Sequence, residues 1–437
     1  MDVLDDIRVE KYAAYKDSGV EWLGEIPEHW TVKRLKYVFK ILKRIAGKLG
    51  HNVLSITQDG IKIKDTESGE GQLSMDYSKY QFVYEGDFAM NHMDLLTGYV
   101  DISKYPGVIS PDYRVFELIE ANSNKQYMLL LLQLGYKNKI FYAYGQGVSM
   151  LGRWRFPAEN FNDFLFPVPP LEEQAAIAKF IDRRTTLIDK TIAIEEQQID
   201  LLKEYRQILI QRAVTRGLDP NVRMKDSGLE WIGEIPEHWK VKRLKNLCFI
   251  NLETLPENTN KNLELKYVDI GNVTLENGIV QPEDYIFNDA PSRARRIAKK
   301  GDTVISTVRT YLKAIDFIDE TKSTYIYSTG FAVLQPKEFV YPEFLAFYVR
   351  SDAFTDQVMF NSKGVSYPAI NSIDLGRIFV LQCSMEEQKE IVLFITMAMQ
   401  KITSTISLKE REIEKLKEYK TTLINSAVTG KIKVCPE

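Results

Sequence analysis

From Pro170 to about Thr215 the apolar residues recur at three- and four-residue steps, through Ile181, Ile188, Ile192, Ile199, Leu202 and Leu209. The same spacing runs through Ile395, Met399, Ile402, Ile406, Ile413, Leu416 and Leu423. A stripe of this period held over several heptads predicts two long amphipathic helices with a coiled-coil seam. At about 40 residues each, they are on the order of 60 Å long. Pro169 and Pro170 before a Glu pair open the first, and Ser384 with Glu387 three residues later reads as a capping box opening the second. Gly217 with Pro220, and Gly430, mark the ends. One position breaks both stripes, with Glu195 in the first and Lys409 in the second where the heptad demands an apolar residue. If the helices pair antiparallel, these two opposite charges face each other near the midpoint and fix the register.

Outside the helices the pattern is different. Short β-rich runs such as YQFVYEGDFAM, DYRVFELI, LKYVDIGNVTL and GDTVISTV are separated by turn residues, while KQYMLLLLQLGYKNKI and EFLAFYVRSDAFTDQV read as helices. The fold class expected is therefore α+β.

Comparing the chain with itself gives the organisation. Residues 16–36 read KDSGVEWLGEIPEHWTVKRLK and residues 225–245 read KDSGLEWIGEIPEHWKVKRLK, an offset of 209 from Lys16 to Lys225. Of these 21 positions 18 agree, the differences being Val20/Leu229, Leu23/Ile232 and Thr31/Lys240. A second pair starts at Glu172-Glu173-Gln174 and Glu386-Glu387-Gln388 and ends at Ala213-Val214-Thr215 and Ala427-Val428-Thr429, at a constant offset of 214 from Glu172 to Glu386. A constant offset is what a long helix requires, because one added residue would rotate its packing face. Between the repeated elements the copies diverge, with echoes at Gly86-Asp87 and Gly301-Asp302, at Ser110-Pro111-Asp112-Tyr113 and Ser328-Thr329-Gly330-Phe331, and at Gly147-Val148-Ser149 and Gly364-Val365-Ser366. The unit is a variable globular domain followed by a long helix, present twice. Its boundaries are 1–168, 169–216, 217–382 and 383–437. His29 and His238 are the histidines shared by both copies of the EHW segment, and a structural role as part of a strapped-down domain edge is expected for them.

Composition narrows the chemistry. Hydrophobic residues at 44% and a net charge of −3 exclude global disorder and advertise no bulk affinity for nucleic acid. Cys248, Cys383 and Cys435 are few, distant and odd in number, which argues against a disulfide framework or structural zinc site and fits a reducing cytoplasm. From the acidic N-terminus no signal peptide is expected, and the greasy run from Met128 to Leu134, interrupted by Gln133, is too short for a membrane span, so none is expected. Local charge is more telling than the total. Residues 290–313 hold Arg293, Arg295, Arg296, Lys299, Lys300, Arg309 and Lys313 against Asp302 alone, and residues 125–155 hold Lys125, Lys137, Lys139, Arg153 and Arg155 with no acid, interleaved with Tyr136, Tyr142, Tyr144 and Trp154. Basic segments carrying aromatics and amides suit phosphate neutralisation with base-edge reading. There is no P-loop, no HExxH, no nucleophile elbow and no Cys/His cluster, so no catalytic residue, metal ligand or cofactor is expected.

The repeated EWxGEIPEHWxVxRLK segment, the FPVPPLEEQ run before the first helix with its degenerate copy VLQCSMEEQ before the second, and the KEY and AVT helix ends together resemble the DNA-specificity subunit of type I restriction-modification systems. The resemblance covers essentially the whole chain. It implies two pseudo-symmetric α/β target-recognition domains separated by two long helices in an antiparallel coiled coil, each domain reading one half of a bipartite site in double-stranded DNA. It also implies two methyltransferase subunits docked on the helices and domains, and restriction subunits with translocase activity, so that methylation and cleavage belong to partners and the chain is not itself an enzyme. A rigid spacer would turn two modest half-site affinities into one strong one through effective concentration.

By the Gly-Asp alignment the loops beginning at Asn91 and Ser306 are equivalent. The DNA-facing candidates are Asn91 and His92 in one loop and Thr307 and Arg309 in the other. With them go Lys137, Lys139, Tyr144, Gln146, Ser149, Arg153 and Arg155 in the first copy, and Arg293, Arg295, Arg296, Lys299, Lys363, Ser366, Tyr367 and Asn371 in the second. Arg to guanine and Asn or Gln to adenine are the preferred pairings. Two other classes fit the residues: a coiled-coil adaptor whose domains bind protein partners, and a self-contained nuclease with a carboxylate site that no motif announces.

Overall fold

The structure is a computed structural model and describes residues 10–65, 77–147, 154–275 and 277–434. The chain divides into two compact units, one of Met1–Ile194 with Arg411–Glu437 and the other of Glu195–Glu410. Each unit holds one α+β domain and one half of each long helix. The helices run over Leu171–Arg216 and Met385–Val428, 46 and 44 residues, slightly longer than the stripes predict.

The same antiparallel sheet lies at the centre of both domains. In the first unit Phe39–Leu42, Arg114–Leu118, Phe88–Met90 and Val100–Ile102 are neighbours in that order, and in the second Cys248–Ile250, Phe331–Pro336, Thr303–Ser306 and Ile315–Phe317. Their apolar residues pack in the core, Phe88 and Phe116 stacked with Phe39 edge-on to both. The second unit adds another sheet, in which Glu264–Val268 pairs parallel with Ile326–Ser328. Here the variable sequence has produced different architecture on a shared base. The segment EFLAFYVRSDAFTDQV, expected as one helix, is two, Pro342–Val349 and Asp352–Asn361. At the break Ser351 is extended, and Arg350 beside it meets a buried acid. Asp316 is 3% exposed, and Arg350 turns toward it at 3.0 Å while Lys322 approaches at 2.8 Å, so the buried carboxylate has two cations.

The two repeated motifs meet in space. Glu173 accepts a hydrogen bond from Trp30 Nε1 at 2.6 Å and pairs with His29 Nε2 at 2.7 Å. Glu387 does the same with Trp239 Nε1 at 2.9 Å and His238 Nε2 at 3.0 Å. Both indoles are fully buried, so an acceptor for each N–H is obligatory. The neighbouring glutamines finish the joint. Gln174 Oε1 accepts from Asn124 N at 2.8 Å and its Nε2 donates to Pro169 O at 2.8 Å, while Gln388 accepts from Tyr341 N at 2.7 Å and donates to Cys383 O at 3.0 Å. The predicted capping box is thus only half formed: Ser384 Oγ accepts from Glu387 N at 3.2 Å, but the Glu387 carboxylate goes to the Trp239 indole instead of back to the cap.

Helix ends dock as well as helix starts. Tyr127 Oη donates to Val428 O at 2.9 Å, and Gly430, at φ +74°, lies so close to Pro27 that a Cβ there would stand 2.4 Å from its ring. In the second unit Ala213 and Val214 pack with buried Trp239. Each domain is therefore closed by the beginning of one long helix and the end of the other, which makes the helices antiparallel within each unit. In the first unit Ile188 packs with Leu416 and Leu423, and Lys420 Nζ is 2.6 Å from Asp189. In the second, Lys409 Nζ lies 2.6 Å from Glu195 Oε2 and also donates to Gln198. A stretch of Met385–Val428 is apolar enough, at a mean hydropathy of 1.5, to cross a membrane by length and composition. Here its Ile391, Val392 and Ile395 are buried in the second unit's core.

Removing the carboxylate in Glu173→Ala strands a buried indole N–H and should cost about 1–3 kcal/mol, a fall of roughly 2–4 °C in thermal midpoint for each kcal/mol; Glu173→Gln, which keeps one acceptor, should lose less. At the seam, Lys409→Ala leaves a mostly buried carboxylate unpaired and should lower the midpoint, whereas the double change Glu195→Leu with Lys409→Leu should recover it. A thermal-unfolding cycle in which the double variant is less stable than the single would contradict the pairing.

Candidate nucleic-acid interface

In both units a loop leaves the third strand of the central sheet and is caught by a second loop from far along the chain. In the first unit Phe156 N donates to His92 O at 2.8 Å, Leu95 N donates to Trp154 O at 3.1 Å, and Gln146 and Arg155 exchange backbone bonds at 2.8 and 3.0 Å. In the second unit Ile370 N donates to Thr307 O at 2.9 Å, Arg309 N donates to Pro368 O at 2.8 Å, and Lys363 and Ala369 exchange bonds at 2.8 and 2.9 Å. The pairs His92–Phe156 and Thr307–Ile370 are equivalent, and so are Gln146–Arg155 and Lys363–Ala369. One frame therefore presents two different sets of side chains.

In the first unit Gln146 and Arg155 are exposed. Asn91 Oδ1 accepts from Met93 N at 3.2 Å and so shapes its own turn. His92 is mostly buried, with Nδ1 lacking a partner, and burial reinforced by the Arg114 charge pulls its pKa down to about 4, so it is neutral at pH 7. Lys139 is exposed in the left-handed region at φ 54°, and Tyr144 packs edge-on against Phe164. Lys137 lies beside Lys420 and Asp189 of the helix pair, and burial lowers its pKa. Ser149 and Arg153 lie outside the described residues.

In the second unit Arg309 adopts φ 53°, and its guanidinium sits 4.8 Å over the exposed Tyr367 ring. A non-glycine residue in that conformation is strained, and the ring contact holds its charge in one place. Lys363 and Ser366 are exposed. Thr307 Oγ1 donates to Gly330 O at 2.8 Å, and Asn371 caps the helix Ser372–Arg377 by accepting from Asp374 N at 2.8 Å. Both polar groups are thus already engaged in building the loops.

The basic run 290–313 is far less cationic than its composition. Arg293 pairs with Asp269 at 3.1 Å, Lys300 with Glu320 at 2.9 Å and Lys313 with Asp352 at 2.9 Å, and Lys299 is bonded to Glu253. Arg295 stacks on Phe287 at 4.7 Å, and Arg296 is half-buried with its Nε unpartnered. Counting charges along a segment misses acids that the sheet brings in from other strands. Of the two cations in the loop 307–313, Lys313 is paired with Asp352 and Arg309 is the one set over Tyr367.

Arg114 was not among the sequence candidates. It is 5% exposed, donates from Nη2 to Phe156 O at 2.9 Å, and lies 4.9 Å over the Phe161 ring. The signal was a cation opening the short strand core RVF within the run DYRVFELI. With Lys43, Gln81, His92, Gln146 and Arg155 it lines a concavity of about 710 Å³. Among the described residues no group of three His, Cys, Asp or Glu side chains stands close enough to hold a metal ion.

Comparison with known proteins agrees with this architecture. The family model described as type I restriction modification DNA specificity domain matches residues 27–204 and again 236–418. A putative type I restriction enzyme MjaX specificity subunit of Methanocaldococcus jannaschii is 26% identical, over 94% of this chain and 96% of its own length. The type I restriction enzyme EcoBI specificity subunit of Escherichia coli is 26% identical over 66% of this chain and 61% of its own. Among solved structures, one described as the structural basis of complex assembly and conformational transition of the type I R-M system aligns with a TM-score of 0.66 at 15% identity, covering 92% of this chain and 98% of that one. The crystal structure of the HsdS subunit from Thermoanaerobacter tengcongensis aligns with a TM-score of 0.56 at 16% identity, over 93% of this chain and 98% of that one. With two matches that together span most of its length, one on each copy of the repeat, the chain belongs to the type I restriction-modification DNA specificity family.

Proposed function

We propose that this chain selects the DNA target of a type I restriction-modification complex, with residues 1–168 and 217–382 each reading one half of a bipartite site and the segments 169–216 and 383–437 setting the unspecified spacer. The observation that carries this reading is the pair of equivalent loop clusters, 91–95 with 146–147 and 154–156, and 307–313 with 363–371, built on one backbone frame and differing in side chains. Repeated frames with different reading residues are what two unlike half-sites demand.

Methylation and cleavage belong in this reading to partner subunits, two methyltransferase subunits and the restriction/translocase subunits, with the chain contributing no catalytic residue, in the cytoplasm of its host. The helices offer partners an apolar surface besides their seam. On the second-unit part of the C-terminal helix Leu393, Phe394 and Met397 are exposed, and on the first-unit part of the central helix Leu187 is. The overall charge of −3 is compatible with DNA binding because partner subunits share the phosphate contacts.

Sequencing of modified bases in cells with and without the chain, alongside its methyltransferase, tests this. A two-part methylated motif present only with the chain is expected. Arg309→Ala should relax one or two positions of one half-site by about 5- to 100-fold in preference and leave the other half unchanged. An unaltered motif in that variant would remove Arg309 from the reading surface.

A further inference from the structure

The first-unit concavity has a chemistry that its counterpart lacks. Its polar lining comprises three cations, Lys43, Arg114 and Arg155, with the amides of Gln81 and Gln146, Tyr113 and the neutral His92; among the described residues no carboxylate lines it. Its remaining walls include Ile41, Leu42, Ile45 and Pro157, which keep the local dielectric low and strengthen the field of the cations. Arg114 is the decisive member. It is buried without an ion-pair acid among the described residues, held by one carbonyl, the Met90 sulfur and the face of Phe161. A buried guanidinium with five donors and so few acceptors is an unfinished arrangement, and an acceptor-rich group entering the concavity would complete it.

The register of the central sheets shows where the second unit differs. Arg114 pairs with Met90, and the equivalent pair in the second unit is Ala332 with Ile305. The reading pair differs too, Gln146 and Arg155 being replaced by Lys363 and Ala369. Residues opposed in an antiparallel bridge project to the same face about 5 Å apart, so Gln146 and Arg155 stand side by side over the concavity.

We propose that this concavity is the base-reading pocket of the first half-site and takes the acceptor edge of a guanine, Arg155 supplying the contact and Arg114 acting beneath it as a positioning residue. The proposal rests on the DNA-specificity reading above. Guanine presents O6 and N7, two acceptors that a guanidinium meets in a fork. Cytosine presents an amino donor whose usual partner is a carboxylate, and among the described residues none lines the concavity. Arg114 ties the two loops together through Phe156, whose amide in turn binds His92 O at 2.8 Å, so the cation that tunes the field also fixes the geometry of the reading residues.

The test is modified-base sequencing with the complete complex assembled on the wild-type chain, Arg155→Lys, Arg155→Ala and Arg114→Lys. The wild-type chain should give a bipartite motif with a required guanine in one half-site. Both Arg155 variants should lower preference for that guanine about 10-fold or more and leave the other half-site intact, because lysine keeps the charge but loses the fork. Arg114→Lys should weaken the same position while the complex still assembles and methylates. If Arg155→Lys keeps the motif and Arg155→Ala lowers methylation uniformly with a shallower salt dependence, the pocket binds backbone phosphate and the guanine assignment is overturned. An unchanged motif and unchanged affinity in all variants overturns the pocket altogether. Absence of any bipartite motif with the wild-type chain would instead overturn the specificity reading on which the proposal stands.

Discussion

Each long helix is rooted by one carboxylate. Glu173 and Glu387, in the first turn of their helices, accept the indole N–H of a tryptophan that is wholly enclosed by its domain. Because a buried N–H must find an acceptor, the tryptophan fixes where the helix starts, and the glutamine one residue on fixes the loop that leads into the next helix of the domain. The far end of the other long helix then packs on the same tryptophan-bearing segment. Without the carboxylates the glutamine bonds and the packed helix ends would remain, but each buried indole would lose the acceptor that sets where its helix starts.

This joint explains why the most repeated residues are the least informative about specificity. The EHW and EEQ segments agree between copies because they do one job twice. The loops on the same sheets differ in what they present: Arg309 over Tyr367 in one unit, Gln146 beside Arg155 above a buried Arg114 in the other. Even the framework has drifted where it does not touch the joint, as the additional sheet of the second unit and its Asp316–Arg350–Lys322 cluster demonstrate.

The long helices and the duplicated order were legible because period and offset are properties of the chain alone. Glu195 and Lys409 stood out for the same reason, as polar residues in an apolar stripe. What was illegible depended on partners brought in by folding. The cationic run 290–313 finds Asp269, Glu253, Glu320 and Asp352 waiting on other elements. Thr307 and Asn371 look like base readers by residue type, yet their side chains are spent on a carbonyl and a helix cap. Arg114 could not be found by counting charge, since what sets it apart is burial without an ion-pair acid among the described residues.

The division of labour between joint and loops is most directly tested by modified-base sequencing of cells carrying the paired change Glu173→Gln and Glu387→Gln. Both half-sites of the methylated motif should be retained base for base while the fraction of sites methylated falls, because the joint supports the reading loops without contacting DNA. A motif with altered bases in either half-site would contradict the account.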